Sequence, residues 1–291
     1  MNTSIRLTII LLFAAHTCTA QSYFDNRFIT ETAVSGEQTF TFYVFSRAGA
    51  IMKAKHFVRK NGRSPYDQYL AWKGKREILL VTSGAFCDHE RDIVGLCVDN
   101  GETVNATADP DMDGMVIIFG SGEKEGGIAV IDMDYKPVTV TDSGRTRNFY
   151  PRSSFSDRYK FLDWGKRSGV TLFQSQLLYS PDHPIDTGNL DFAGIIGRRK
   201  VERRLLAQCK KNNVLYNIIV DAPSGQYLNR AAYNAKNALE SKGYTVAFII
   251  NLDTGGNNIL HVYNGSSLQD IHPVYDATIG TVPTLLVYYK D

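Results

Sequence analysis

The fold is indicated by residues 214–252, which read VLYNIIVDAPSGQYLNRAAYNAKNALESKGYTVAFIINL. The apolar, β-branched runs at 214–220 and 245–252 predict two buried strands. Between them, apolar residues at helical spacing predict a helix over 228–242, with Gly243 following its C-cap. A strand, a helix and a second strand within about 40 residues are typical of a βαβ crossover in one sheet.

Short apolar runs separated by turn residues extend this pattern towards both ends of the chain. They predict strands at 40–45, 77–86, 95–99, 102–105, 115–119, 127–133, 171–179, 259–263 and 284–289, and a helix at 153–166. Residues 21–76 are predicted to form an N-terminal extension of β and irregular structure, and residues 77–291 the main domain. The predicted fold class is α+β, a single domain of mixed β-sheet with a βαβ unit near the C-terminus.

The first 20 residues have the layout of a cleavable secretory signal. Arg6 precedes an apolar run over 7–15, and Cys18-Thr19-Ala20 places small residues before Gln21. Cleavage near Ala20 predicts an exported protein, located in a periplasm, at a cell surface or outside the cell. No later apolar run approaches the roughly 18 residues needed to cross a bilayer, so no membrane span is predicted.

The charge balance excludes one class of partner. The 291 residues include 32 Lys and Arg and 30 Asp and Glu, which gives a formal net charge of +2. Such a chain lacks the basic excess on which electrostatic binding of nucleic acid depends, so no nucleic-acid partner is predicted.

Export also bears on the cysteines. Cys87 and Cys97 flank a short loop in a strand-turn-strand segment, where an oxidising compartment favours a disulfide worth ~2–3 kcal/mol. Cys209 would then be left over. The alternative is three reduced, buried thiols. No Cys-x-x-Cys pair or spaced Cys/His set indicates a zinc site, and no cofactor is predicted.

Polar residues follow both strands of the βαβ segment. One strand ends at Asp221 and the other runs into 251–258, which read NLDTGGNN. If the strands are neighbours, Asp221 and Asp253 point into one crevice, where glycines let backbone N–H groups approach a polar ligand. The alternative is an Asx-rich tight turn between two strands. These side chains could hold a hard cation such as Ca²⁺, but no ligand spacing demands one and no metal site is predicted.

Two other segments are candidates on residue type. Ser83-Gly84 ends an apolar strand, where it forms either a polar site with bare backbone or an ordinary turn. Its surroundings do not fit Gly-x-Ser-x-Gly, so a nucleophile elbow is not expected. The basic run RRKVERR at 198–204 is either a solvated face or an anion site in which an arginine turns inward.

Four motifs, in this order, resemble those of the phosphodiester glycosidase family. LVTSGAFCD at 80–88 and VGLCVDNGETVN at 94–105 resemble its Asn-Gly-Gly-Phe-Phe turn and the Gly-Leu strand that follows. QSQLL at 174–178 resembles Gln-Ser-Gly-Pro-x-Leu, and Arg203 or Arg204 holds the place of an arginine before the next strand. NLDTGGN at 251–257 resembles Asn-Leu-Asp-Gly-Gly-Gly-Ser after a strand and an alanine-containing helix. The resemblance covers 78–265.

The resemblance implies a phosphodiester glycosidase-like fold and hydrolysis of a sugar-1-phosphate diester. Asp253 would be the acid/base or stabilising carboxylate, and Arg204 or Arg203 the phosphate clamp. Asp221 is a further catalytic candidate because of the crevice that it is expected to share with Asp253. The remaining substrate-binding residues would be Ser83, Gly84, Gln174, Ser175, Asn251, Thr254, Gly255, Gly256 and Asn257. The implied partner is a carbohydrate phosphodiester or a glycan.

Several positions depart from the family pattern, and each added side chain lies where the family keeps space or a particular hydrogen-bond donor. The departures are Ser83 for Asn, Ala85 for Gly, Gln176 and Leu177 for Gly-Pro, Thr254 for Gly and Asn257 for Ser. The alternative function is therefore that of a catalytically degenerate relative. Such a protein would bind glycans or serve in cell-envelope assembly, with an envelope protein as partner.

Overall fold

The computed structural model describes residues 28–48, 51–120, 124–134, 136–142, 145–188, 198–265, 267–271 and 278–291. Its α-helices are α1 (Pro65–Lys73), α2 (Phe155–Arg167) and α3 (Leu228–Ser241). Its strands are β1 (Ile29–Ser35), β2 (Gln38–Ser46), β3 (Lys53–Val58), β4 (Glu77–Thr82), β5 (Cys97–Asp99), β6 (Glu102–Asn105), β7 (Gly114–Ile118), β8 (Ile128–Asp132), β9 (Val138–Asp142), β10 (Arg145–Phe149), β11 (Thr171–Ser175), β12 (Leu177–Tyr179), β13 (Arg203–Lys211), β14 (Val214–Ala222), β15 (Thr245–Leu252), β16 (Leu260–Asn264), β17 (Ser267–Asp270) and β18 (Thr284–Lys290). The signal predicted at 1–20 lies outside the described residues.

These strands form three large sheets and one separate ribbon. The six-stranded sheet has the order β1-β2-β14-β13-β15-β12, and the five-stranded sheets have the orders β6-β5-β11-β7-β8 and β17-β16-β4-β18-β3. β9 and β10 pair only with each other. Every strand pair in the described part of the chain is antiparallel. The fold is therefore more sheet-rich than the expected α+β class.

The three sheets surround one central core, and a helix covers the outer face of each. The core takes Tyr43, Leu206 and Ile250 from the six-stranded sheet, Val116 and Phe173 from the first five-stranded sheet, and Leu80 and Leu286 from the second. On the opposite faces, three further clusters include residues of α3, α2 and α1. The central strands of each sheet are thus buried on both faces, which explains why they read as continuous apolar runs.

Helix α3 confirms the helix predicted at 228–242. The stripe that packs on the six-stranded sheet is fully buried and consists of Leu228, Ala231, Ala232, Ala235, Ala238 and Leu239. Alanine methyl groups let the helix axis lie close to the sheet. The helix ends at Ser241, and Gly243 has a φ of +82°, a value that glycine adopts at little steric cost.

β14, α3 and β15 form the predicted strand-helix-strand unit, but the two strands are not neighbours. β13 lies between them and is antiparallel to both, so β14 and β15 run in the same direction. A two-residue hairpin turn at Asn212-Asn213, with φ of +50° and +64°, joins β13 to β14. Because this hairpin places β13 in the middle, Asp221 and Asp253 do not meet in a crevice between neighbouring strands.

The strand predicted at 171–179 is in fact two strands in different sheets. β11 pairs with β5 and β7 in a five-stranded sheet, whereas β12 pairs with β15 in the six-stranded sheet. Gln176 lies at the break, where its backbone oxygen accepts the N–H of Asn251 at 2.9 Å. The segment therefore connects two sheets across the central core.

The described part of the predicted N-terminal extension belongs to the same sheets as the rest of the chain. β2 pairs with β14, and β3 pairs with β18 near the C-terminus. β1 is largely exposed at the sheet edge and its sequence, ITETAVS, lacks a regular apolar alternation. None of the helices in the described ranges is long and apolar enough to cross a membrane.

Candidate functional site

A cleft of about 540 Å³ opens where β4 and β15 end and β13 begins. Three segments line it: 86–89 after β4, 253–257 after β15, and 199–203 before β13. Phe86 and Val201 supply apolar wall, while Arg199, Arg203 and Asp253 supply charged or ionisable groups. An apolar pocket with a few convergent polar groups is the arrangement expected of a ligand site.

Two of the sequence motifs meet at this cleft. The backbone N–H of Asp253 donates to the carbonyl of Gly84 at 2.9 Å, and the Ser83 hydroxyl donates to the carbonyl of Asp253. The Ser83 hydroxyl is therefore buried and already donates a hydrogen bond within the protein. A Cβ atom at Gly84 would lie 2.7 Å from the ring of buried His56, so the close packing of this turn favours glycine. These two residues hold the loop of Asp253 in place and do not line the cleft.

Asp253 is the buried carboxyl group of the cleft. Only 6% of the residue is exposed, and burial raises the pKa of its carboxyl group from 3.8 to about 7. The Asn257 amide donates to its Oδ2 at 2.8 Å, and this bond and the Thr254 N–H oppose the shift in pKa. At neutral pH the group can therefore give or take a proton, as a general acid or base must.

The neighbouring arginines at the start of β13 point to opposite faces of the six-stranded sheet. Successive side chains of a strand alternate between its two faces. Arg204 shares the face of Leu206 towards the central core, and Arg203 shares the opposite face with Leu205. Arg203 lines the same cleft as Asp253, whereas Arg204 does not.

Arg204 is fully buried in a network beneath the cleft. Its Nη2 donates to Asn258 Oδ1 at 2.9 Å and lies 3.3 Å from Oδ1 of Asp221, its cross-strand partner. The Asn258 amide in turn donates to Glu202 Oε2 at 2.9 Å. The catalytic roles inferred for Arg204 and Asp221 thus fall on residues outside the cleft, which link β13, β14 and the loop that carries Asp253.

Arg203 and Arg199 form a positively charged wall. Arg203 Nη2 donates to the backbone oxygen of Arg199 at 2.7 Å, which holds the two residues together. Burial and the nearby charge of Arg199 lower the pKa of the Arg203 guanidinium to about 10, so Arg203 remains charged at neutral pH. In the basic run, Arg203 therefore lies in the cleft, Arg204 lies in the interior, and Arg199 lies at the cleft rim.

The loop after β15 contributes most of the remaining residues inferred from sequence. Thr254, Gly256 and Asn257 line the cleft, and Gly255–Asn257 form one turn of 3₁₀ helix. Phe86, Asp88, His89, Arg199 and Val201 also line it but were not singled out as site residues. Only their positions in the sequence could have indicated them. Phe86 to His89 lie just after the Ser83-Gly84 motif, and Arg199 lies in the basic run.

Gln174, Ser175 and Asn251 lie in the interior and not on the cleft wall. The Gln174 side chain accepts the N–H groups of Leu96 and Asp109 and donates to the carbonyls of Asp109 and Met112. The Ser175 hydroxyl donates to the carbonyl of Asn251. Asn251 donates through its amide to Gln176 Oε1 at 2.9 Å. Gln174 thus joins β11 to the segments before β5 and β7, while Ser175 and Asn251 join β11 and Gln176 to β15, so their polar groups are used within the protein.

Replacing Gln174 with methionine is expected to destabilise the fold without altering ligand affinity. The change keeps the volume but removes the side-chain partner of four backbone groups, two buried and two part-buried, at a cost on the order of 3 kcal/mol. The melting temperature should fall, while Gln269→Met on the exposed edge strand β17 should leave it nearly unchanged. An unchanged melting temperature together with weakened binding of phosphodiesters would instead indicate that Gln174 contacts the substrate.

The cysteines do not form the predicted disulfide. Cys87, Cys97 and Cys209 are free thiols in the described residues. Cys97 begins β5 opposite Phe173 in the central core, whereas Cys87 faces Ile93 across a short hairpin of its own. Burial raises the pKa of all three thiols, so none is an activated thiolate at neutral pH. Within the same described residues, no group of three or more His, Cys, Asp or Glu side chains is arranged to hold a metal ion.

Comparison with known proteins gives a relationship at the level of fold. No family model matches the chain, and no curated protein sequence matches it. A hypothetical protein from Synechocystis is 10% identical with a TM-score of 0.51, over 90% of this chain and 61% of that one. The catalytic domain of zebrafish N-acetylglucosamine-1-phosphodiester alpha-N-acetylglucosaminidase, auto-inhibited by its pro-peptide, is 11% identical with a TM-score of 0.51, over 91% of this chain and 82% of that one. The chain spans about three fifths of the Synechocystis protein, and identities this low show a shared fold alone.

Proposed function

We propose that this protein is an exported hydrolase that cleaves sugar-1-phosphate diesters in the cleft between Asp253 and Arg203. The observation that carries the proposal is a buried carboxyl group with a pKa near 7 that opens onto the same cleft as a buried arginine. Structural similarity to a sugar-1-phosphodiester glycosidase gives further support, although only at the level of fold.

Arg203 suits the charge of such a substrate. A phosphodiester carries one negative charge spread over two non-bridging oxygens, and a guanidinium can donate to both. The wall that surrounds it is partly apolar, through Phe86 and Val201, and a poorly hydrated wall strengthens an electrostatic contact. We assign the phosphate contact to Arg203 and give Arg204 the role of a positioning residue.

Asp253 suits the proton transfer that the reaction requires. Water adds to C1 of the sugar, the bond from C1 to the bridging oxygen breaks, and the phosphate departs as a monoester with that oxygen. Water supplies a hydroxyl group to the sugar and one proton in total to the solution or the departing phosphate. A carboxyl group with a pKa near 7 can deliver or accept that proton at neutral pH.

The reaction is tested by incubating the whole protein with sugar-1-phosphate diesters that differ in sugar and in leaving group. Free sugar and a phosphate monoester are the expected products. In water labelled with ¹⁸O, the label should appear in the sugar and not in the phosphate, because the proposal places bond breakage at C1. Absence of turnover across the series, in a protein shown to be folded, would overturn the proposal.

A glycan-binding or envelope-assembly role is the second candidate. It is favoured by the use of Ser83, Gln174 and Ser175 in internal hydrogen bonds, which leaves Asp253 and Arg203 as the buried ionisable groups among the motif residues on the cleft wall. This role predicts saturable binding of sugar phosphodiesters without turnover. It also predicts recovery of a stable partner from envelope extracts, which would be lost on altering exposed loops and retained in Asp253→Asn.

Export is a separate part of the proposal and rests on residues 1–20. Expression of the full chain in a host with a secretory pathway is expected to release protein that begins at or near Gln21. N-terminal sequencing of the released protein checks this, and retention of the intact N-terminus inside the cell would contradict it.

A further inference from the structure

Strand β1 gives the six-stranded sheet a long open edge. It has seven residues and pairs with β2 on one side, and no described strand lies on its other side. The other outer strands of the three large sheets offer less, since β6, β12 and β17 have only three or four residues. In β8 the Val130 N–H and the Ile128 carbonyl bond to the Gln208 side chain, and in β3 the Ala54 N–H donates to the carbonyl of Gly126. Among the described strands of these sheets, β1 is therefore the most open to pairing with another chain.

The hairpin register shows which backbone groups of β1 face outward. A two-residue turn at Gly36-Glu37, with φ of +56° and +66°, joins β1 to β2, and Ser35 and Gln38 close it. The pair that closes such a turn exchanges hydrogen bonds, and bonded and non-bonded pairs then alternate along the two strands. The residues that direct their N–H and C=O groups to the open edge are Thr30, Thr32 and Val34. In the described part of the chain, these outward groups have no hydrogen-bond partner.

The side chains of β1 do not protect this edge. Natural edge strands avoid association through lysines, prolines, bulges or short length, and the sequence ITETAVS has none of these. Glu31 is its one charged residue, and its carboxylate accepts the Tyr244 hydroxyl at 3.3 Å on the face that α3 covers. The outward-facing residues are β-branched, uncharged and exposed, Val34 to 68%. The edge thus combines free backbone groups with side chains that favour a strand.

We propose that β1 pairs antiparallel with β1 of a second copy of this chain, about a two-fold axis at Thr32. In this register Thr32 lies opposite Thr32 of the second copy, and Thr30 lies opposite Val34. The outward-facing residues then form three bonded pairs with two hydrogen bonds in each, so no outward group is left over. The same surface serves both copies, as a two-fold contact requires.

Charge and side-chain pairing favour a second copy over an unrelated strand. Glu31 lies opposite Ala33 in this register, so no like charges face each other across the pair. Threonine opposite threonine, and valine opposite threonine, are pairs that suit neighbouring strands. The six-stranded sheets of the two copies become one continuous sheet. Because β1 does not line the cleft, the inference does not depend on the proposed function.

Sedimentation velocity of the full chain over about 1 µM to 1 mM tests the inference. Wild type is expected to show a monomer–dimer equilibrium with a dissociation constant of about 1–100 µM, because an interface built on one strand is small. Thr32→Pro should weaken association about tenfold or more; the Thr32 N–H faces outward, so proline removes no bond to β2. Leu268→Pro is the matched control in the exposed edge strand β17, where Leu268 also directs its N–H outward, and it should dimerise as wild type does.

A pair of charged variants separates a second copy from any other partner. Thr32→Lys and Thr32→Glu each place like charges opposite one another across the two-fold axis, so each alone should be monomeric at low ionic strength. An equimolar mixture should recover the dimer, because lysine then faces glutamate. Circular dichroism on each variant checks that it is folded.

Three results would overturn the inference. The first is a single species of monomer mass over the whole concentration range. The second is a dimer that withstands Thr32→Pro, which must then form elsewhere, and the third is a mixture of the folded charged variants that stays monomeric. If proline at this position prevents folding, the charged variants decide, because lysine and glutamate keep the backbone N–H.

Discussion

Replacing Arg204 with methionine is expected to lower the free energy of unfolding by about 3–5 kcal/mol, the range for breaking a buried ion pair from one side. The change leaves Asp221 and Asn258 without the guanidinium that joins them beneath the cleft. Urea unfolding at fixed pH measures the loss. The double variant Arg204→Met with Asp221→Asn should recover part of it, because it removes the uncompensated carboxylate.

Arg203→Met provides the matched comparison one residue earlier on the same strand. Arg203 lines the cleft, so this variant is expected to lose affinity for phosphodiesters more than stability. A contrary result is easily recognised. If Arg204→Met unfolds like wild type but no longer binds phosphodiesters, Arg204 is the phosphate clamp that the sequence resemblance implied.

Replacing Asp253 with asparagine is expected to reduce hydrolysis by about 10²–10⁴-fold, the range attributed to a positioned general acid or base. The amide is nearly isosteric and its oxygen can still accept the bond from Asn257. Asp92→Asn, an exposed aspartate in the turn after β4, should leave the rate unchanged. Wild-type hydrolysis by Asp253→Asn would exclude the proposed role of this carboxyl group.

The same variant is expected to become more stable than wild type as pH rises. Burial raises the pKa of Asp253 from 3.8 to about 7, so between these values the folded state keeps a proton that the unfolded state loses. The free energy of unfolding of wild type therefore falls with pH across this window, whereas asparagine contributes no such change. Asp253→Asn should match wild type near pH 4 and exceed it by a few kcal/mol above pH 7. A difference that does not vary with pH would contradict the raised pKa.

Sequence alone predicts elements whose burial is uniform along the segment. The bounds of β15 agree with its apolar run, and α3 differs from the predicted helix by one residue, because both bury a regular stripe. β13 was missed since it begins with two arginines and ends with two lysines, a pattern typical of a solvated segment. The charged ends are compatible with a central strand because Arg204 has polar partners inside the protein.

The candidate site, like the fold, could be predicted from sequence only in part. The hydrogen bonds between Ser83-Gly84 and Asp253 bring together two motifs that the resemblance assigned to one site. The choice between Arg203 and Arg204 depends on the register of β13 against its neighbours, and one residue of slip would exchange their faces. No local pattern reveals that register, nor that the polar groups of Gln174 are satisfied by loops 62 to 78 residues away.

The hydrogen bond between Ser83 and Asp253 connects positions 170 residues apart, and this separation bears on how the protein folds. Chain entropy opposes such a long-range closure until the intervening strands have paired, so contacts of this kind form late. The cleft therefore assembles only after β4 and β15 have docked, when most of the chain is already ordered. Recovery of ligand binding after dilution from urea should accordingly follow the slowest refolding phase. During synthesis, the cleft cannot form until β15 has left the ribosome.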